Sequence, residues 1–187
     1  MLLGIGAEAE VYLEEGVVIK KRTPKGYRHP ELDARIRKER TKSESRLMSK
    51  VSGTPRILET TDYEIKMEFI DGKKIRDIVN LDGLEQLIGQ VIGNLHAQGI
   101  AHNDLTTSNM ILHKGEVFLI DFGLATRGRI EDFATDLKVL FEAAEATHKD
   151  FSRDLFLKGY TKIMPDKSVL TRLDKVYSRG RYITRTR

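Results

Sequence analysis

The residues best suited to chemistry lie in one stretch. It runs His102-Asn103-Asp104-Leu105-Thr106-Thr107-Ser108-Asn109, continues through the apolar run Val117-Phe118-Leu119-Ile120, and ends in Asp121-Phe122-Gly123. Phosphoryl transfer asks little covalent chemistry of a protein. It needs a carboxylate to orient the attacking oxygen and hard oxygen ligands to hold Mg2+ on a nucleotide. Asp104 fits the first role, and Asn109 and Asp121 fit the second. A histidine two positions before an aspartate arises often by chance. The asparagine five positions after Asp104, and a second aspartate closing an apolar strand, make the combination specific. The cofactors it calls for are ATP and Mg2+.

Other elements must hold these groups in place. Leu84, Leu87, Ile88, Val91, Ile92 and Leu95 recur at helical spacing, which predicts a buried helix over 82–98 that delivers the loop at His102. Asp82 is its expected N-cap and Gly99 its expected stop. A short interval after Gly123 leads to a helix predicted over 132–147. On it Asp136 is either a buried anchor for the loop or an exposed helix charge. Amphipathic helices are predicted over 150–163 (Phe151, Leu155, Phe156, Ile163) and 167–177 (Val169, Leu170, Leu173, Val176). Residues 178–187, with Arg179, Arg181, Arg185 and Arg187, show no core-forming pattern and read as a basic tail ordered only on binding.

Upstream, Leu3-Gly4-Ile5-Gly6-Ala7-Glu8-Ala9-Glu10-Val11 has glycines that suit a tight turn whose N–H groups approach phosphate oxygens; a plain hairpin is the alternative. Val17-Val18-Ile19-Lys20 reads as a strand whose lysine can reach phosphates, with Lys21 on the opposite face. A Pro- and Gly-containing loop over 22–30 precedes a basic helix predicted over 31–50. There Glu44 is either the partner of Lys20 or a surface partner of Arg40. Strands are predicted over 56–60 and 64–70.

These stretches resemble the protein kinases: G-x-G-x-x-G-x-V with Ala9 for the third glycine, V-A-I-K with one substitution, the catalytic loop, and D-F-G. The resemblance implies nucleotide contacts from Leu3, Gly4, Gly6, Ala7, Val11, Lys20 and its partner Glu44, and adenine contacts along Met67-Glu68-Phe69-Ile70. It implies an α+β, compact two-lobed protein-kinase-like fold, with a small β-rich N-lobe over 1–70 and a mainly helical C-lobe over 71–187. The chain departs from that pattern after Gly123, where A-P-E and an activation segment are lacking. Asn103 replaces the arginine that grips a phosphorylated loop, so switching by loop phosphorylation is not expected. Thr106 replaces a lysine that contacts the transferred phosphate, so water can serve as acceptor.

Composition adds bounds. The 187 residues, 40% hydrophobic, suffice for one domain or two small lobes. No apolar run approaches the ~18 residues of a membrane span. Met1 to Val11 reads as a strand and not as a secretion signal, so a cytoplasmic location is expected. The absence of cysteine excludes disulfides and thiolate metal sites. Net charge is only +4, yet residues 20–50 hold twelve Lys/Arg against four Asp/Glu. Residues 172–187 hold six against one.

Gly4-Ile5-Gly6-Ala7-Glu8-Ala9, Lys25-Gly26-Tyr27-Arg28-His29-Pro30 and Arg40-Thr41-x-x-Glu44 resemble the small kinase/ATPase subunit of the KEOPS complex, the Bud kinase family. The likeness covers essentially the whole chain and points to an archaeal member. It implies an atypical serine/threonine kinase acting chiefly as an ATPase beside the threonylcarbamoyl transferase subunit and the other KEOPS subunits, in support of threonylcarbamoyladenosine formation in tRNA. The basic helix and basic tail are then the expected tRNA contacts; a solvated helix and an untidy terminus are the plainer reading. Three other classes compete. RIO-type kinases also lack the activation segment, and the intact D-F-G is expected to set this chain apart from them. Small-molecule kinases of the aminoglycoside type carry a larger acceptor lobe, for which the 64 residues after Gly123 leave little room. The last is a scaffold that binds nucleotide without turnover.

Overall fold

The computed structural model describes residues 1–183. They divide into two compact units, one of residues 1–50 with 54–71, the other of 51–53 with the chain from residue 72 onward.

The first unit is an antiparallel sheet with one helix. In chain order it contains β1 (Leu2–Ile5), β2 (Ala9–Glu14), β3 (Val17–Arg22), α1 (Pro30–Met48), β4 (Ile57–Thr60) and β5 (Glu64–Glu68), with strand order β1-β2-β3-β5-β4. Glu15 and Gly16, at φ 49° and 79°, make the β2–β3 turn. Paired left-handed residues of this kind match the twist of the strands they join. The register sets Lys20 opposite Val11 and Ile65, and a slip of one residue would turn its side chain to the other face. Pro30 starts α1 in its first turn, where its missing N–H has no intrahelical partner to lose. The buried face of α1 is mostly polar, with Asp33, Thr41, Glu44 and Ser45 beside Leu47 and Met48; Ile65 and Met67 of β5 are buried too.

The second unit is mainly helical. It contains β6 (Lys73–Lys74), α2 (Leu84–Ala97), β7 (Ile100–Ala101), β8 (Met110–His113), β9 (Glu116–Leu119), β10 (Thr126–Arg127), α3 (Ile130–Thr147), α4 (Arg153–Ile163) and α5 (Ser168–Ile183). Its small sheets run β6-β8-β9 and β10-β7. Ile88, Ile92 and Leu95 of α2, Leu137, Leu140 and Phe141 of α3, and Phe156 and Tyr160 of α4 fill its centre. Gly99, at φ 70°, stops α2 as expected, its N–H donating to His96 O at 2.9 Å.

Three expectations need correction. Asp82 does not cap α2: Gly83 occupies that position at φ 85°, with no side-chain cap. The strand over 64–70 ends at Glu68. The last helix does not stop at residue 177 but runs to Ile183, so the expected tail is helical over its first part. Its residues 184–187 lie outside the described residues. Among the described residues no helix is long and apolar enough to cross a membrane.

Candidate active site

In the first unit, strand alternation along β3 puts Lys20 and Arg22 on one face and Lys21 on the other. Lys20 Nζ lies 2.6 Å from Glu44 Oε1, and Arg22 Nη2 lies 2.6 Å from Glu44 Oε2. All three residues are buried, whereas Lys21 sits exposed beside Glu64. Both oxygens of Glu44 are thus held by cations, the arrangement a buried carboxylate requires. Sequence reasoning named Lys20 and Glu44 and passed over Arg22, although a residue two further along a strand shares the face.

The glycine-bearing stretch folds as β1, a bend and the start of β2, with the Gly6 N–H donating to Ala9 O at 2.8 Å. Neither Gly4 nor Gly6 takes a positive φ, so a left-handed turn is not what they provide. A Cβ at Gly4 would meet nothing within 4 Å and one at Gly6 only the Ala9 carbonyl at 3.5 Å, which leaves the backbone open to close approach. Leu3 and Ala7 are exposed, and Val11 is half-buried opposite Lys20. Glu8, also passed over, ties the bend to Arg28 at 3.1 Å and to Arg40 of α1 at 2.7 Å. Burial works to raise its carboxyl, but the two arginines hold it below the usual carboxylate range. Met67 and Ile70 are buried, Phe69 is half-buried and Glu68 is exposed.

The second unit assembles the loop. Asp136 of α3 is buried, and its carboxylate accepts from the His102 N–H at 2.6 Å and the Asn103 N–H at 2.8 Å. Asn109 Nδ2 donates to Asp104 O and to Asp104 Oδ2, each at 2.9 Å. His102 Nε2 donates to Ile120 O at 3.1 Å, and the His102 ring packs on buried Phe122. Asp121 takes φ 61° and accepts the Gly123 N–H on Oδ1 at 3.3 Å. Asn103 donates from Nδ2 to Leu124 O and Thr126 Oγ1, both at 2.9 Å. Residues 124–129 are all that separate Gly123 from α3, and within them β10 pairs back on β7.

The donor chemistry fits Mg2+. Asp104 can only accept as a carboxylate, so the Asn109 amide must present its nitrogen there, which leaves its oxygen as a hard ligand. The Asp121 carboxylate is a second hard oxygen donor in the same unit. Among the described residues no cluster of three or more His, Asp or Glu could hold a metal alone. Mg2+ bound through substrate phosphates needs only one or two carboxylate or amide ligands from the protein.

A β-rich N-terminal sheet, a helical C-terminal part and this loop define the kinase-like class. Solved structures agree on the fold: a Rio2 kinase from Chaetomium thermophilum aligns over 98% of this chain and 72% of its own at TM-score 0.62 and 14% identity. WaaP in complex with acyl carrier protein aligns over 95% and 87% at TM-score 0.60 and 16% identity. The RIO domain family matches residues 19–153, and a serine/threonine-protein kinase BUD32 homolog of Archaeoglobus fulgidus is 35% identical over 99% of this chain and 98% of its own. The chain therefore belongs to the RIO-domain kinases, in the branch that holds the BUD32 homologs. The intact D-F-G does not set it apart from the RIO type. A bifunctional tRNA threonylcarbamoyladenosine biosynthesis protein of Methanosarcina barkeri is 42% identical over 97% of this chain. This chain spans about a third of that relative's length, 35%.

Proposed function

We propose that the chain is an atypical serine/threonine kinase and ATPase that hydrolyses ATP or transfers its γ-phosphate in support of tRNA threonylcarbamoyladenosine biosynthesis. The observation that carries the chemistry is the Asn109 amide, which fixes the Asp104 carboxylate and keeps its own oxygen for a metal. Mg2+, when bound with the nucleotide, neutralises charge on the phosphates. Asn109 Oδ1 and the Asp121 carboxylate would hold it. Asp104 Oδ1, which takes no hydrogen bond among the described residues, orients the attacking hydroxyl or water and receives its proton. Lys20 holds the α and β phosphates, Glu44 aims Lys20, and Arg22 keeps Glu44 compensated when Lys20 turns to a ligand. Leu3, Gly4, Gly6, Ala7 and Val11 line the nucleotide, and the backbone of Met67 to Ile70 meets adenine.

The biological setting rests on the relatives. The name of the longer archaeal relatives joins two functions in one chain, of which this chain matches one part. The reading is that this chain acts in the cytoplasm within a KEOPS-type assembly, beside a threonylcarbamoyl transferase subunit and tRNA. The test is ATP turnover by the purified chain, alone and with transferase and tRNA, compared with Asp104→Ala. Loss of an orienting base costs roughly 10²–10⁴ in rate, while ATP affinity should stay within a few-fold. Undiminished phosphate release from the variant would refute the assignment.

A further inference from the structure

The Asp136 carboxylate holds the loop, but it is itself held. His96, at the end of α2, places Nε2 3.3 Å from Asp136 Oδ2 and Nδ1 2.8 Å from the hydroxyl of Tyr160 on α4. All three side chains are buried, with Tyr160 at 0% exposure. The His96 ring stacks on Phe133 at 4.5 Å, and Tyr160 stacks on Phe156 at 6.0 Å, so neither ring is free to turn away. The chemistry of the groups fixes the direction of the chain. A carboxylate only accepts, so His96 Nε2 carries the hydrogen it shares with Asp136. Burial keeps the imidazole neutral, which leaves Nδ1 as an acceptor, and the Tyr160 hydroxyl must then donate to it.

We propose that Tyr160 is a positioning residue for the catalytic loop. Its hydroxyl polarises His96, which strengthens the Nε2–H bond to Asp136, and Asp136 in turn pins the amides of His102 and Asn103. The support acts locally: Asn103 is held at φ 61°, a left-handed conformation that asparagine tolerates but that the bond from its N–H to Asp136 fixes in place. Asp104 follows directly, so its carboxylate inherits whatever freedom Asn103 has. The catalytic consequence rests on the phosphoryl-transfer reading above; the hold on the loop does not.

The experiment compares the full chain with Tyr160→Phe, which keeps the ring and removes the hydroxyl, and with Ile88→Val, a loss of packing on α2 that leaves the hydrogen-bonded chain alone. Amide hydrogen exchange at His102 and Asn103 should speed up about tenfold in Tyr160→Phe, the scale of one hydrogen bond in a local opening, and should not do so in Ile88→Val. With Mg-ATP, kcat should fall several-fold in Tyr160→Phe while KM stays near the parent value. Unchanged protection of the two amides would overturn the proposal, and so would lost protection with an unchanged kcat. If the parent itself turns over no ATP, the phosphoryl-transfer reading fails and the exchange comparison alone decides the hold on the loop. Should Tyr160→Phe not fold, nitrogen chemical shifts of His96 in the parent decide. A hydrogen on Nε2 with a bare Nδ1 is required, and the opposite tautomer refutes the chain.

Discussion

Asp121 and Asn103 share an unusual property: each is a non-glycine residue at φ 61°, and each flanks or belongs to the loop that carries Asp104. Short polar side chains tolerate this region because they bond their own backbone, as Asp121 does with the Gly123 N–H. The substitution that isolates the charge of Asp121 is therefore Asp121→Asn, which keeps both the conformation and the turn. Losing one charge-assisted contact costs about 1.5–3 kcal/mol, so Mg2+-dependent ATP affinity should fall by roughly 10- to 100-fold, read by titration with and without Mg2+. Equal affinity would remove Asp121 from the metal site. His96 gives a second prediction. Burial pushes its pKa below the ordinary histidine value, nearby His102 adds to this, and the Asp136 carboxylate only partly opposes it. The unfolded chain then takes up a proton near pH ~6.5 that the folded chain refuses. Stability is full above that pH and declines below it, by at most about 1.4 kcal/mol per pH unit for one proton. Urea midpoints measured from pH 7.5 down to 5 should fall, and a flat profile would show that His96 is protonated in the folded chain.

At the scale of elements, the apolar stripe of α2 was legible because Ile88, Ile92 and Leu95 follow helical spacing and are all buried. What lay outside that pattern was the contact between α2 and α4. Gly89 and Gly93 interrupt the stripe of α2, where glycine costs a helix about 1 kcal/mol each relative to alanine. Their reason is tertiary: a Cβ at Gly89 would strike the Phe156 carbonyl, and one at Gly159 the Gln86 carbonyl. No local propensity encodes a partner helix seventy residues away, so the sequence pattern is silent about it. The same holds for Arg22 and Glu8, whose partners sit on other elements, while Lys20, Asp104, Asn109 and Asp121 stood out because their spacing is a chemical signature. The two-residue turns at Glu15–Gly16 and Lys114–Gly115 went unnamed, although their left-handed φ values favour the glycine that each contains. The end of α5 was not readable, because charge and low hydropathy fit a solvated helix as well as a coil. Gly89→Ala should destabilise the chain by roughly 1–3 kcal/mol through overpacking, despite the gain in helix propensity. Gly26→Ala, in open space, should stay within about 0.5 kcal/mol. A thermal melt separates them: equal melting temperatures would mean that α2 and α4 do not approach as closely as this contact requires.

Over the whole molecule the basic charge gathers in two blocks of the sequence. The block at 20–50 is largely consumed inside the first unit, where Lys20 and Arg22 meet Glu44, Arg28 and Arg40 meet Glu8, Arg37 meets Asp33, and Lys38 and Lys42 meet Asp62. Paired cations release few counterions on an RNA backbone, which weakens the case for α1 as a tRNA surface. Within the C-terminal block, residues 178–187 contain Arg179, Arg181, Arg185 and Arg187, and Tyr182 and Ile183 are their apolar residues. Its packed anchors come earlier: Val169 and Leu173 are buried, Arg153 lies over the Tyr177 ring, and Arg172 pairs with Glu131. A chain shortened to end at Tyr177 keeps all of these. Its melting temperature should match the parent closely even though α5 loses its final turns. Its affinity for tRNA should drop, and the slope of log affinity against log salt should flatten by roughly three if all four arginines contact phosphates, at about 0.7–0.9 counterion each. An unchanged slope would assign the tail to a protein partner and not to RNA, and a large fall in melting temperature would show that the end of α5 belongs to the core of the second unit.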